Sequence, residues 1–283
     1  MASQERSMPF IKNLASSDRK IRTSALASLH AFLSARQVAS ALTPLDTLKL
    51  WKGLYYALWM CDRPLPQQAL CAELADLIFV LPRDAVVPWL RGFWATMSRE
   101  WTGIDVLRME KFLLLVRRVV GAGFRFMKKG GGSKATGKKE EEGAAWAADK
   151  VDDMLALLGE WPFALDDDAR VDPAKEEDDD DHIIQAIPVG LRLHVLDIWV
   201  DEAEKAGLLK EDDEEAKTII QRISEQVDTL EQKTTRPAVR IRSKESLADD
   251  RLPANRKAPT GEQEDEDMEE GPGDNGSWDG FED

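Results

Sequence analysis

Cysteine and histidine are scarce: the 283 residues hold two of the first and three of the second. Cys61 and Cys71 have no CxxC spacing and no clustered histidines near them, so two reduced, buried thiols are expected, without a disulfide or a metal site. His30, His182 and His194 lie in three different segments with no pairing at i,i+3 or i,i+4, which suits helix-side residues better than ligands. No G-x-S-x-G, H-E-x-x-H or comparable catalytic spacing occurs. Paired acids such as Asp105 and Glu110 fit helix-start electrostatics. An enzyme reading therefore has no residues to rest on, and no cofactor or small-molecule substrate is expected. No run approaches the roughly 20 apolar residues of a membrane span, and Met1–Arg6 has no apolar signal region. Sustained period-two alternation is also missing, so no strands are expected.

What the sequence does have is tryptophan, concentrated. Trp51, Trp59, Trp89, Trp94 and Trp101 place five of the nine between Leu48 and Lys129. Aromatics bury large areas against specific neighbours, so this stretch is core. Ser16-Ser17-Asp18 reads as a helix cap, followed by Ile21, Ala25, Leu29, Phe32 and Leu33 on one face. Thr43-Pro44-Leu45-Asp46 gives cap, N1 proline and N3 acid, opening the helix that carries Trp51 and Trp59. Further helices are expected from Pro66 to about Leu81, from Arg83 with Pro88 in its first turns, and from Thr102-Gly103-Ile104-Asp105 to about Phe126. Ala144–Gly159, Pro188–Ala206 with Gly207 as C-cap, and Asp212–Gln232 continue the pattern. The fold class is all-α: an irregular HEAT- or armadillo-like stack of antiparallel helices, without a clean repeat period.

The expected organisation is one helical domain over residues 1–232, interrupted by a Gly/Lys/Glu linker at 130–143 and an acidic loop at 166–182. Beyond Lys233 the apolar periodicity fades, and an extended or disordered tail is expected over 233–283, basic and then acidic. Between Gly261 and Asp283 there are 11 acidic residues and no Lys or Arg.

Charge is divided unevenly. Met1–Lys129 carries 19 Lys and Arg against 10 Asp and Glu, whereas the remainder carries 19 against 43. A basic half suggests a polyanionic or acidic partner, and an acidic half suggests self-masking or a tail. The candidate contact residues are Lys12, Arg19, Lys20 and Arg22 near the start, then Lys52, Arg63 and Arg91. Arg108, Lys111, Arg117, Arg118, Arg125, Lys128 and Lys129 decorate one long helix and its exit, with Arg83 and Arg99 on neighbouring helices. Such residues on a rigid scaffold neutralise phosphates without reading sequence. Solvated faces paired with local acids such as Glu110 would explain them equally.

Three further motifs need weighing. Gly132-Ser133-Lys134-Ala135-Thr136-Gly137-Lys138 fits G-x-x-x-x-G-K, but Lys139 stands where a magnesium-binding Ser or Thr belongs, and no strand precedes it. Linker composition explains it better, and Glu176–Asp181 lacks the spacing and glycine of a calcium loop. Arg240 and Arg242 belong to a spread basic segment suited to nuclear localisation or phosphate contact, while Trp278 and Phe281 stand out as a docking motif in the acidic tail.

Several blocks together resemble the eukaryotic ribosomal RNA-processing protein 1 family: Pro9–Ala15, Leu50–Tyr56, Trp59–Pro64, Trp101–Asp105, Lys111–Arg118 and Gly190–Trp199. The resemblance covers roughly Met8 to Gly207 and implies a nucleolar, non-enzymatic assembly factor. Such a factor would act in pre-60S particles on large-subunit precursor rRNA, beside other assembly factors. The residues themselves leave one alternative open, a protein-only adaptor whose basic face meets an acidic protein.

Overall fold

The computed structural model describes residues 10–130, 146–165, 170–171, 183–184 and 187–256. Three helices lead in: the short α1 (Phe10–Leu14), the longer α2 (Arg19–Ser34) and the single-turn α3 (Arg36–Ala39). The stack proper follows as α4 (Pro44–Trp59), α5 (Pro64–Asp76), α6 (Arg83–Glu100) and α7 (Val106–Phe126), then α8 (Ala148–Glu160), α9 (Val189–Ala206), α10 (Glu214–Lys233) and α11 (Pro237–Leu247). Alternate helices fall into two layers. Helices α4, α6, α8 and α10 pack successively on one side, and α5, α7, α9 and α11 on the other. The protein is an all-α, HEAT-like stack with unequal steps.

Local chemistry sets the helix ends. Thr43 and Asp46 close a reciprocal capping box around Pro44. Asp105 accepts a hydrogen bond from the Arg108 backbone N–H at 3.1 Å, and Asp213 accepts from Ala216 at 2.9 Å. Gly207 ends α9 at φ +84°, a left-handed conformation that L side chains resist. Aromatics interlock within and between the layers. Trp51 lies 4.9 Å from Trp89 and 5.0 Å from Phe93 (ring centroids), and donates its indole N–H to the Trp89 carbonyl at 2.9 Å. Tyr55 stacks on Phe112 at 4.6 Å, tying α4 to α7. Truncating an anchor such as Phe93 or Phe112 would cost about 3–5 kcal/mol.

Four expectations are corrected by the fold. Ile21 does not face the core: it is 43 % exposed, while Arg22 is buried on the stripe with Ala25, Leu29 and Leu33. The α5 helix starts at Pro64, ahead of Pro66. A two-residue antiparallel pair, β1 (Arg170–Val171) with β2 (Ile183–Ile184), lies where only a loop was expected. Finally, the packed structure does not stop at residue 232. Helix α11 and a 3₁₀ turn at Pro253–Asn255 carry it to Arg256.

That last segment escapes a periodicity search because polar groups attach it. Trp199 donates to the Ser246 hydroxyl, Asn255 donates to the Leu247 and Asp249 carbonyls, and Arg256 donates to the Leu209 carbonyl. Val239 and Leu252 are its buried apolar anchors. The remaining tail, the phosphate-loop-like stretch and most of the acidic loop lie outside the described residues.

Candidate docking surface

Part of the basic surface expected from the sequence is paired with acids along a seam between α6/α7 and α8/α9, its arginines staying partly exposed. Arg83 reaches Asp149 and Asp153 on α8, at 3.2 and 2.5 Å, and Arg91 reaches Glu160 at 2.9 Å. Arg117 bridges Asp201 and Glu202 on α9, at 3.1 and 3.2 Å. Within the basic half, Arg125 pairs with Asp76 at 2.6 Å. The excess of positive charge before residue 130 and of negative charge after it are thus partly one internal interface. Arginine suits that use, because its planar fork presents donors to two carboxylates at once.

Other candidates prove to be structural. Arg22 is buried and donates to the carbonyls of Ser16 and Ser17, both at 2.8 Å, bracing the turn before α2. Lys111 is buried at the end of α4, where its ammonium donates to the carbonyls of Trp59 (2.7 Å) and Cys61 (3.0 Å). The first is an orphan carbonyl of the helix end, the second lies two residues beyond it and is shared with Gln67 Nε2, and a cation there also answers the helix dipole. Burial pushes the Lys111 pKa down, with Asp62 opposing that shift from 3.6 Å. Arg108 pairs with Asp105 and lies over the Trp59 ring at 4.8 Å. Lys128 lies 5.7 Å from the Trp146 ring centroid. Arg242 pairs with Asp197, and Arg240 donates to the Thr234 carbonyl at 2.7 Å, so both hold α11 in place. Trp278 and Phe281 lie outside the described residues.

What remains both exposed and unpaired is a smaller set. Lys12, Arg19, Lys20, Arg63, Arg118 and Lys129 are exposed and carry no ion pair among the described residues. Arg19 and Lys20 share the first turn of α2, Arg63 caps α5, and Arg118 points out from the middle of α7. At the Arg63 end, three aliphatic side chains are also out: Leu65 at 79 %, Val106 at 88 % and Leu107 at 93 % exposure.

The structure does bring one cationic cluster together. Helix α1 docks on α4 where Gly53 lets Leu14 approach; a Cβ at that glycine would sit 3.0 Å from Leu14 Cδ1. Beside this contact runs a groove of about 390 Å³. Its apolar floor includes Ile11, Ala15, Leu45, Leu48 and Tyr56, and its rim holds Lys12, Lys49, Lys52 and Arg99. None of its lining residues is acidic. Behind the rim, Glu100 pairs with Lys52 and with Arg99. Sequence reasoning singled out Lys12, Lys52 and Arg99 but missed Lys49, one helical turn before Lys52.

The remaining titratable groups serve packing. Burial raises the Cys71 thiol to about 12, so it stays protonated, and its Sγ–H donates to the Lys111 carbonyl at 3.5 Å. Burial likewise lowers the His194 pKa, and its ring nitrogen meets the Leu113 carbonyl at 2.8 Å. Among the described residues no His/Cys/Asp/Glu group could hold a metal, and no helix is long and apolar enough to cross a membrane.

Two stacked helix layers, cross-braced by arginines and carrying a cation-rimmed groove, define a helical-repeat protein built to present surface. The chain belongs to the Nop52 family of nucleolar proteins, whose profile matches residues 5–279. It is 29 % identical over 209 residues to human "Ribosomal RNA processing protein 1 homolog B", covering 73 % of this chain and 23 % of that protein. It is 31 % identical over 199 residues to mouse "Ribosomal RNA processing protein 1 homolog A", covering 69 % and 34 %. The Drosophila melanogaster "Ribosomal RNA processing protein 1 homolog" matches at 41 % over 86 residues, or 30 % of this chain and 12 % of that protein. The chain thus spans about a quarter to a third of the first two relatives.

Proposed function

We propose that this protein is a nucleolar scaffold for maturation of the large ribosomal subunit. It docks on precursor rRNA and on neighbouring assembly factors within pre-60S particles and catalyses no step itself. The observation that carries this reading is the set of cations left outside the internal seam: Arg19, Lys20, Arg63, Arg118 and Lys129, on a rigid helical frame and without carboxylate partners among the described residues. Fixed cations of this kind bind phosphates by releasing counterions, whatever the base sequence. Membership of a nucleolar family, and relatives whose names state rRNA processing, support the same reading.

A second reading has its own observation. Leu65, Val106 and Leu107 expose aliphatic surface beside Arg63, which favours a protein partner at that end of the stack. The two are separated by tagging the protein, recovering its particles and mapping RNA cross-links. The scaffold reading expects precursor large-subunit RNA in the particles. It also expects charge reversal at Arg63, Arg118 and Lys129 to weaken RNA binding and flatten its salt dependence by about one unit of slope per lost phosphate contact. Particles holding protein partners, with no RNA cross-links, would favour the adaptor. Absence of ribosomal precursors would overturn the scaffold reading.

A further inference from the structure

We infer that the groove between α1 and α4 receives the chain's own acidic segment around Trp278 and Phe281. This rests on the groove and on the sequence, and stands apart from any RNA contact elsewhere on the stack. Two properties of the groove select its occupant. Its rim presents Lys12, which carries no ion pair among the described residues, beside Lys49, Lys52 and Arg99, the last two already meeting Glu100, while its floor leaves Leu45 and Tyr56 partly exposed. At about 390 Å³ it falls within the roughly 300–1,000 Å³ range of ligand-sized pockets. An occupant that uses both floor and rim needs apolar side chains flanked by negative charge.

Trp278-Asp279-Gly280-Phe281-Glu282-Asp283 has that alternation: two aromatics three residues apart, with acids between and after them. The whole of residues 261–283 contains no Lys or Arg that would repel the rim. The chain is also long enough. From Arg256, where the described helices end, 22 residues lead to Trp278, a reach of up to about 70 Å when extended. Crossing the layer from α10 through α8 and α6 to α4 takes three helix steps, about 30 Å at usual interaxial distances. Nucleic acid fits less well, because its phosphates would satisfy the rim but leave the aliphatic floor unused. Aromatic anchors in a desolvated pocket, ringed by charge pairs, are the usual source of affinity for such segments.

The test is zero-length carbodiimide coupling on the full chain, using a mixture of isotope-labelled and unlabelled protein to separate links within one chain from links between copies. The expected result is amide links from Lys12, Lys49 or Lys52 to Asp279, Glu282 or Asp283, within single chains. The Trp278→Ala/Phe281→Ala variant keeps every carboxylate and every groove residue, and its link yield should fall about tenfold, the equivalent of roughly 1.4 kcal/mol. Links that survive loss of both aromatics would mean charge attraction alone and overturn the assignment. Links found only between copies would assign the groove to a second molecule, and links to Glu5 would assign it to the first nine residues. Ultraviolet cross-links of an RNA oligonucleotide to Tyr56, with no carbodiimide links, would give the groove to RNA. Each of these last three results also overturns the inference, and none bears on RNA contact at Arg63 or Arg118.

Discussion

The α6–α9 seam and the α1–α4 groove are made from the same kind of residue and put it to opposite use. In the seam, Arg83, Arg91 and Arg117 each meet one or two carboxylates carried on a helix far away in sequence. In the groove, Lys12 stands at the rim of an apolar floor without an ion pair among the described residues, although Glu100 holds its neighbours Lys52 and Arg99. A surface ion pair adds little to stability, with a median of about 0–1 kcal/mol. One that reaches a buried acid such as Glu202 matters more, because losing Arg117 leaves that acid with the more exposed Lys205 alone. Positive charge in this chain therefore divides into cations that hold the stack together and cations that remain available.

Adjacent residues on α7 give the sharpest way to break that division. Arg117 bridges to Asp201 and Glu202, whereas Arg118, next to it, faces solvent. Arg117→Glu would set a third carboxylate against those two, one of them buried. Because Arg117 is itself partly exposed, the expected loss is about 2–3 kcal/mol, below the roughly 3–5 kcal/mol of a fully buried pair. Arg118→Glu should stay within about 0.5 kcal/mol of the parent. Denaturant unfolding of both variants reads the difference, and equal losses would erase the distinction between structural and available cations.

Lysine divides in the same way. Lys111→Met keeps a long apolar stem but removes the ammonium from the Trp59 and Cys61 carbonyls, at an expected cost of about 1–3 kcal/mol. Lys12→Met removes an exposed charge at the groove and should leave the unfolding midpoint unchanged. A Lys111→Met protein as stable as the parent would show that water can replace the ammonium at the end of α4.

A third contrast is in pH. Arg251 donates to Asp249 and to Asp201, and these hydrogen bonds are the chief reason both carboxyls titrate below their usual 3.8. A carboxyl depressed in the folded state adds stability above its unfolded pKa and loses it as pH falls through the folded value. Arg251→Met should thus cost about 1 kcal/mol at pH 7, modest because all three side chains are partly exposed. The gap from the parent should close as pH falls through the depressed folded-state values, below the usual 3.8, where both proteins lose the ionised carboxylates. A gap of equal size at pH 7 and below those values would make Arg251 a packing residue.

These contrasts show what the sequence could and could not reveal. The cap at Thr43–Asp46, the αL stop at Gly207 and the aromatic core around Trp51 were legible, because each is decided by residues a few positions apart or by side-chain type. Pairing of charges was not, since Arg83 and Asp149 are 66 residues apart and nothing local distinguishes Arg117 from Arg118. Lys111 reads as surface until the end of α4 is brought over it. Helix α11 and the turn after it were missed for a related reason: the helix meets α9 through serine and arginine, and the partners Trp199 and Asp197 of the helix and Asp201 of Arg251 lie some 45 to 50 residues earlier. The groove depends on α1 reaching Gly53, again a long-range contact.

The smallest effect concerns two glycines of α7, and it tests the seam from the backbone side. Glycine inside a helix costs roughly 0.5–1 kcal/mol relative to alanine, so each needs a reason to be there. At Gly121 the reason is the seam: a Cβ would lie 2.5 Å from Glu202 Oε2, and Glu202 is already held by Arg117 and Lys205. At Gly123 there is no such obstacle. A Cβ there would meet Met154 Sδ at 3.7 Å, ordinary contact, beside a 20 Å³ apolar cavity lined by Leu90, Trp94, Val119, Phe124 and Leu158. Gly123→Ala is therefore expected to stabilise the protein by about 0.5–1 kcal/mol, while Gly121→Ala destabilises it by displacing the acid from Arg117. Pairing Gly121→Ala with Glu202→Gln separates the causes: partial recovery would trace the cost to the displaced charge, whereas an unchanged loss would trace it to helix packing alone.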